Sequence, residues 1–291
     1  MAITSVKVLI NGVETALSYN SSTNKWTGTI TAPGSTSFNL SGGYYPVKVT
    51  AVNDAGTTVT NDSYRLVVKE TVKPTITITS PTNGAYVTNN KQPIVFTIVD
   101  ESGGSGVDIN SLDMSFDNVR VTSGIVYTPI TNGYSVTYTP TSALKDGTHT
   151  VTMYCSDNDG NMSDLKRTTF NVDTVPPVLN ISTPVDGLIT NNATCVVSGT
   201  TNDAPSSPVT LTINGIATTV NADGSWSKTI SLNNGTNTIT VVATDAAGRS
   251  TTVVRTVKLD TSVPVISNIT ITPNPATTGA TMTITLEVTN G

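Results

Sequence analysis

Aromatic residues make up only 5% of this chain and charged residues 12%. There is one histidine, His149, and there are two cysteines, Cys155 and Cys195. A lone histidine supports no specific nucleophile–base set and no usable zinc-ligand spacing. Two cysteines in different repeats, each at a core-facing position, exclude a disulfide framework and read as packing groups. Lysine and arginine do not cluster and the net charge is −5, which argues against a nucleic-acid surface. No apolar run is long enough to span a membrane. The opening MAITSVKVLING has no basic stretch leading into an apolar one, so no cleavable secretory leader is expected in it. Glycines fall in turns, with no phosphate-binding loop ahead of a helix. These absences predict a chain that is not an enzyme, carries no organic cofactor and inserts into no membrane.

What is plentiful is threonine, serine, asparagine and glycine, set between short apolar alternations. Val47, Val49 and Ala51 alternate with Lys48 and Thr50; Val151, Met153 and Cys155 with Thr152 and Tyr154; Ile239, Val241 and Ala243 with Thr240 and Thr244. Such alternation marks strands with one buried and one wet face. Threonine suits the wet face, since its branched carbon fits the pleat and its hydroxyl meets water. Asn11-Gly12, Asn214-Gly215 and Asp223-Gly224 read as two-residue hairpin turns. No segment has sustained helical periodicity, so the fold class expected is all-β.

Repeats organise the chain. A proline-opened strand recurs as KPTITITSP from Lys73, PPVLNISTP from Pro176 and VPVISNITITP from Val263. The strands YYPVKVTAVNDAG, HTVTMYCSDNDG and NTITVVATDAAG end at Gly56, Gly160 and Gly248, 104 and 88 residues apart. Units of this length suit seven-stranded sandwiches. Residues 6–30, VKVLINGVETALSYNSSTNKWTGTI, align with 209–230, VTLTINGIATTVNADGSWSKTI, placing Trp26 on Trp226. The boundaries expected are 1–72, a domain without its opening strands; 73–175 and 176–262, two full domains; and 263–291, the opening two strands of a unit. Proline-rich joints predict a rod.

The run D-x-x-G, a closing strand, then Asp-Thr-x-x-Pro appears twice. It is Asp157 to Gly160 with Asp173-Thr174-Val175-Pro176, and Asp245 to Gly248 with Asp260-Thr261-Ser262-Val263-Pro264. On these residues the chain resembles tandem bacterial immunoglobulin-like domains, well over 73–262 and without the opening strands over 1–72. The resemblance implies β-sandwiches and a role in display, as in surface adhesins and phage virion proteins, and no chemistry of its own.

Three sets of residues are candidates for function. In the tail, Ile269 and Ile271, with Met282, Ile284, Leu286 and Val288, form apolar alternations that predict an assembly face. The tail would complete residues 1–72 of another copy, giving a head-to-tail homo-oligomer, or would complete a different virion or surface protein. Loops at one end of each sandwich bring carboxylates toward a joint: Asp173, Asp203 and Asp245 in one domain, and Glu70, Asp100 and Asp157 in the other. Carboxylates of this kind suit calcium, and they are also ordinary turn residues. Trp26 and Trp226 read as core aromatics or as platforms for a host-surface glycan. The function expected is a structural display protein. A virion component (tail, fibre or capsid decoration) stands first, a bacterial cell-surface adhesin or stalk second and a carbohydrate-binding module third. The location expected is a virion or an extracellular surface.

Overall fold

The structure, a computed structural model, describes residues 1–203 and 206–290. It divides into two compact units, Met1–Val172 and Asp173–Gly291. Every regular element among the described residues is a β-strand.

The first unit begins with a single sheet. Strands β1 (Ile3–Ile10), β2 (Val13–Asn20), β3 (Lys25–Thr27), β4 (Tyr45–Asn53) and β5 (Thr58–Leu66) lie in the order β3-β2-β1-β4-β5. A complete sandwich follows, built from β6 (Thr75–Ser80), β7 (Ala85–Val87), β8 (Ile94–Val99), β9 (Val107–Phe116), β10 (Val119–Arg120), β11 (Ile125–Ile130), β12 (Gly133–Tyr138), β13 (Gly147–Asp157) and β14 (Lys166–Val172). Its sheets run β11-β12-β8-β6 and β10-β9-β13-β14-β7. Ile94, Phe96 and Ile98 from one sheet meet Val151, Met153 and Phe170 from the other, all fully buried.

The second unit repeats this plan with β15 (Val178–Thr183), β16 (Leu188–Thr190), β17 (Thr194–Asn202), β18 (Thr210–Ile213), β19 (Ile216–Thr218), β20 (Ser225–Ser231), β21 (Gly235–Thr244) and β22 (Ser250–Leu259). The sheets are β15-β17-β20 and β16-β22-β21-β18-β19. Leu179, Val197 and Trp226 pack against Ile239, Val241, Ala243 and Val257. The Asn-Gly turns are as expected, with φ of 46° and 76° at Asn11 and Gly12 and 50° and 78° at Asn214 and Gly215. Asp223-Gly224 differs. Only Gly224 has positive φ, and an added Cβ there would lie 2.4 Å from the Thr201 carbonyl oxygen. The loop closes through Gly224 N–H to Asn221 O and Asn221 N–H to Ser225 O, so it is longer than two residues.

Equivalent strands meet different fates in the two units. Ile239, Val241 and Ala243 of β21 are fully buried, with β15 packed across β21 and β22. Their counterparts Val47, Val49 and Ala51 on β4 are only half-buried. Residues 1–72 form no second sheet, and Val6, Val8 and Tyr45 are the only buried hydrophobic residues among them. Trp226 sits on β20, paired to β17, and is 2% exposed. Trp26 lies on β3, which pairs instead with β2. It is half-buried against Tyr19, ring centroids 5.5 Å apart. Without a strand equivalent to β17, the segment carrying Trp26 has no partner on the opposing side and joins the edge of the only sheet present.

The tail forms a two-stranded hairpin, β23 (Pro264–Thr272) with β24 (Thr283–Asn290). Ile271 faces Ile284 and Ile266 faces Val288, with a bulge between Ser267 and Thr270 where Asn268 has φ of 53°. A bulge inserts one residue and shifts the alternation. Ile266 therefore joins Ile269, Ile271, Ile284, Leu286 and Val288 on one face, where simple alternation from Ile271 would put Ser267. Together with Met282 these side chains are 41–61% exposed. A two-stranded piece of this kind is marginal by itself.

The contrast between the tryptophans gives a measurable difference. Trp226→Ala in the full chain should cost the second unit about 3–5 kcal/mol, read as faster amide exchange across β17 and β20. Trp26→Ala should cost about 1 kcal/mol. Equal costs would contradict the edge placement of Trp26.

Candidate metal centres

Each complete sandwich gathers carboxylates at one end. In the second unit Asp173 precedes β15, Asp203 follows β17 and Asp245 follows β21. They are 0%, 6% and 5% exposed, and one oxygen from each lies within 4.8 Å of the others. Glu70, Asp100 and Asp157 form the same arrangement in the first unit, at the ends of the corresponding segments. At such separations two full charges repel by roughly 3–4 kcal/mol at an effective dielectric of 20.

Backbone and hydroxyl donors hold these acids in place. Asp245 Oδ1 accepts the Arg249 N–H at 2.8 Å, and Asp157 Oδ1 accepts the Asn161 N–H at 2.8 Å. Asn53 Oδ1 does the same with the Thr57 N–H at 2.8 Å. The first residue of each D-x-x-G turn is thus a lock on the residue four positions on, and residues 1–72 carry the amide in place of the acid. Asp173 accepts the Val175 N–H at 3.0 Å and the Ser206 hydroxyl. In the first unit Asp100 Oδ2 accepts the Gly106 N–H and Glu70 Oε1 the Ser105 N–H, both at 2.7 Å. Among the described residues, four oxygens of the two clusters have no hydrogen-bond partner: Asp203 Oδ2 and Asp245 Oδ2, and Glu70 Oε2 and Asp100 Oδ1.

Burial and the neighbouring Asp173 charge push the Asp203 carboxyl up, against the Ser206 N–H. Glu101, beside the first cluster, is pushed up to about 7 by burial, by a hydrogen bond shared with Glu70 and by Asp100. Burial also acts on Glu70, but the hydrogen bonds from Glu101 and Ser105 outweigh it and hold its carboxyl below the ordinary value.

Sequence reading missed two residues here. Glu101 stands next to Asp100, with nothing in the sequence to show that it reaches Glu70. Asp159 lies inside the D-x-x-G turn and joins the two halves of the first unit. It accepts the Thr36 hydroxyl and the Glu70 N–H, while its carbonyl takes the Lys69 ammonium. Its partners are up to 123 residues away, beyond any local signal.

His149 is buried against Phe116 and Phe170. Its Nδ1 pairs with Asp117 at 2.7 Å and its Nε2 with the Lys145 carbonyl at 2.8 Å, so both ring nitrogens serve packing. Cys155 and Cys195 are buried, free thiols pushed up by burial. Trp226 is enclosed in the core, which corrects its reading as a glycan platform, whereas Trp26 keeps part of its ring accessible at a sheet edge.

Comparison with known proteins accords with this architecture. Residues 74–153 match the bacterial Ig domain family and residues 177–261 match glucodextranase, domain B. The chain carries tandem immunoglobulin-like domains. It is 36% identical to Bacillopeptidase F of Bacillus subtilis (strain 168) over 126 residues, 43% of this chain and 9% of that protein. It is 33% identical to the Serine-rich adhesin for platelets of Staphylococcus aureus (strain MRSA252) over 184 residues, 62% of this chain and 12% of that protein. The chain thus spans about a tenth of the length of these relatives. A solved tetra-tandem repeat from the extending region of a large adhesion protein is 22% identical, with TM-score 0.32, covering 98% of this chain and 79% of that one.

The raised Glu101 carboxyl carries a pH signature. It binds a proton in the folded state that the unfolded chain, with an ordinary value of 4.5, has already lost. Stability of the first unit should therefore fall as pH rises from about 4.5 to about 7 and then level. Glu101→Gln should flatten that slope in urea titrations across the range. An unchanged slope in the variant would show that the proton sits elsewhere.

Proposed function

We propose that this chain is a non-enzymatic structural display protein, a virion component whose copies join head to tail by completing one another's sandwiches. The observation that carries the reading is a pair of matching apolar faces, one on β1–β5 where Val47, Val49 and Ala51 stay half-buried beside buried Val6 and Val8, and one on β23–β24 that is exposed. Strands β2-β1-β4-β5 are the counterparts of β19-β18-β21-β22, and in the second unit the sheet holding those strands is covered by β15 and β17. The hairpin β23–β24 begins with the same proline-opened strand as β15 and keeps its apolar face in solvent. Hairpin strands of one copy, laid over β1–β5 of the next, restore the missing sheet and give the segment of Trp26 a strand to pair with. Each apolar side chain so covered contributes about 1.5–3 kcal/mol before the cost of association. The contact is heterologous, with one surface donating and a different one accepting, so repetition gives rings or filaments.

A second reading is a bacterial adhesin or stalk segment, favoured by the similarity to the staphylococcal adhesin over 62% of the chain. In that setting the apolar faces are covered by neighbouring sequence, and the Ig-like domains act as spacers. Trp26, packed against a tilted Tyr19 ring, is the residue through which either kind of protein would meet a host glycan.

Light scattering after size exclusion separates the two readings. The full chain should form multimers whose mass rises with concentration. The same chain with Ile271→Asp and Leu286→Asp, or ending at Asp260, should be monomeric. A monomeric full chain at every concentration would remove self-completion and leave the stalk reading in first place.

A further inference from the structure

We infer that the free edge of β3, continued through residues 28–31, is the strand that receives β24 of a second copy, with Glu287 of that copy opposite Lys25. The pairing rests on head-to-tail joining, the proposed function, and adds its register. Trp26 aligns with Trp226, so Thr29, Ile30 and Thr31 stand where Thr229, Ile230 and Ser231 lie in β20. In the second unit that whole stretch pairs with β17. In residues 1–72 only Lys25–Thr27 is a strand, held to β2 on one side. Among the described residues, nothing hydrogen-bonds to the backbone of residues 28–34. They cross the apolar face loosely, leaving a cleft of about 510 Å³ between Ile10, Val13 and Thr15 on the sheet and Thr29, Ile30 and Pro33 above it. Strand-forming residues with unpaired N–H and C=O groups are a template for strand addition. Pairing stops short of Pro33, which has no N–H to give.

The tail fixes which residues meet. Pro264 aligns with Pro177. The pairs Val265–Thr289, Ile266–Val288 and Ser267–Glu287 then match Val178–Asn202, Leu179–Thr201 and Asn180–Thr200. Strand β24 is therefore the counterpart of β17. Cys195, Val197, Gly199 and Thr201 are buried, and the tail has Met282, Ile284, Leu286 and Val288 at those places, an apolar side chain at each. In the β17–β20 register Thr200 faces Ser225, Gly199 faces Trp226 and Val197 faces Lys228. Carried over, Glu287 faces Lys25, Leu286 faces Trp26 and Ile284 faces Gly28. Two departures from the second unit compensate each other across this register. A neutral Thr–Ser pair becomes a carboxylate facing an ammonium, both exposed. Lys25 has no ion pair among the described residues, and Glu287 accepts the Asn268 amide through Oε2 alone. Opposite charges directly across a sheet attract and like charges repel. Gly199 leaves room for an indole, since a Cβ there would lie 2.7 Å from Trp226 Cζ2. With Leu286 in that place Trp26 has no room to lie as Trp226 does, and it is already turned against Tyr19.

The test uses the full chain. Two single variants, Thr27→Cys and Thr285→Cys, change positions equivalent to the paired Ser227 and Ser198. Mixed in equal amounts and oxidised, they should give a covalent heterodimer linked between positions 27 and 285, identified by peptide mass. Thr27→Cys mixed with Thr283→Cys should link about tenfold more slowly, because a disulfide does not form across Cα separations above about 7 Å. Lys25→Glu and Glu287→Lys should each raise the concentration of half-assembly in light scattering about threefold, and the double variant should restore it. Multimers without a preference for the 27–285 link, or without rescue in the double variant, would overturn this register and leave head-to-tail joining intact. A wild-type chain that stays monomeric at every concentration would overturn both.

Discussion

A β-sheet with one apolar face must have that face covered, and the rest of this molecule follows from how each sheet meets that requirement. In the two full sandwiches the answer is internal. Phe96 and its neighbours cover Met153 and Phe170, and Trp226 and Val197 cover Val241 and Val257. Residues 1–72 have the same alternation on β4 but no sheet above it, and the hairpin β23–β24 has an apolar face with nothing beneath it. The position of Trp26 follows directly. A strand that loses its partner on one sheet takes the nearest open edge, since unpaired backbone groups are costlier than an unusual neighbour.

The second organising constraint is electrostatic. The loops that cap a sandwich bring carboxylates together whether or not repulsion favours it, because the same acids lock their turns through backbone N–H groups. Asn53 shows that an amide performs that local task equally well. Asp157 and Asp245 perform it with an acid, where two further carboxylates stand opposite.

Much of this was legible in the sequence. Alternation located the strands β4, β13 and β21, Asn-Gly pairs fixed two hairpins, and proline-opened repeats located β6, β15 and β23. The acidic sets around Asp203 and Asp100 came together as the loop positions implied. What stayed hidden depended on contacts that a linear pattern does not carry. Ile266 was masked by the bulge at Asn268, which changes face without changing residue type. His149 reads as a polar residue ahead of a strand, yet two phenylalanines and Asp117 enclose it. Asp159 and Glu101 act through partners that only folding brings near.

Each sandwich also contains a parallel pair in which a short segment near its start runs alongside its final strand, β7 with β14 and β16 with β22. When the two ends of a sandwich are drawn apart, strands paired in this way slide past each other lengthwise. Their hydrogen bonds then bear the tension together, whereas a hairpin pulled from its open end parts one bond at a time. Leu188, Ile189 and Thr190, matched to Val257, Lys258 and Leu259, are thus placed to share a load along the strand direction.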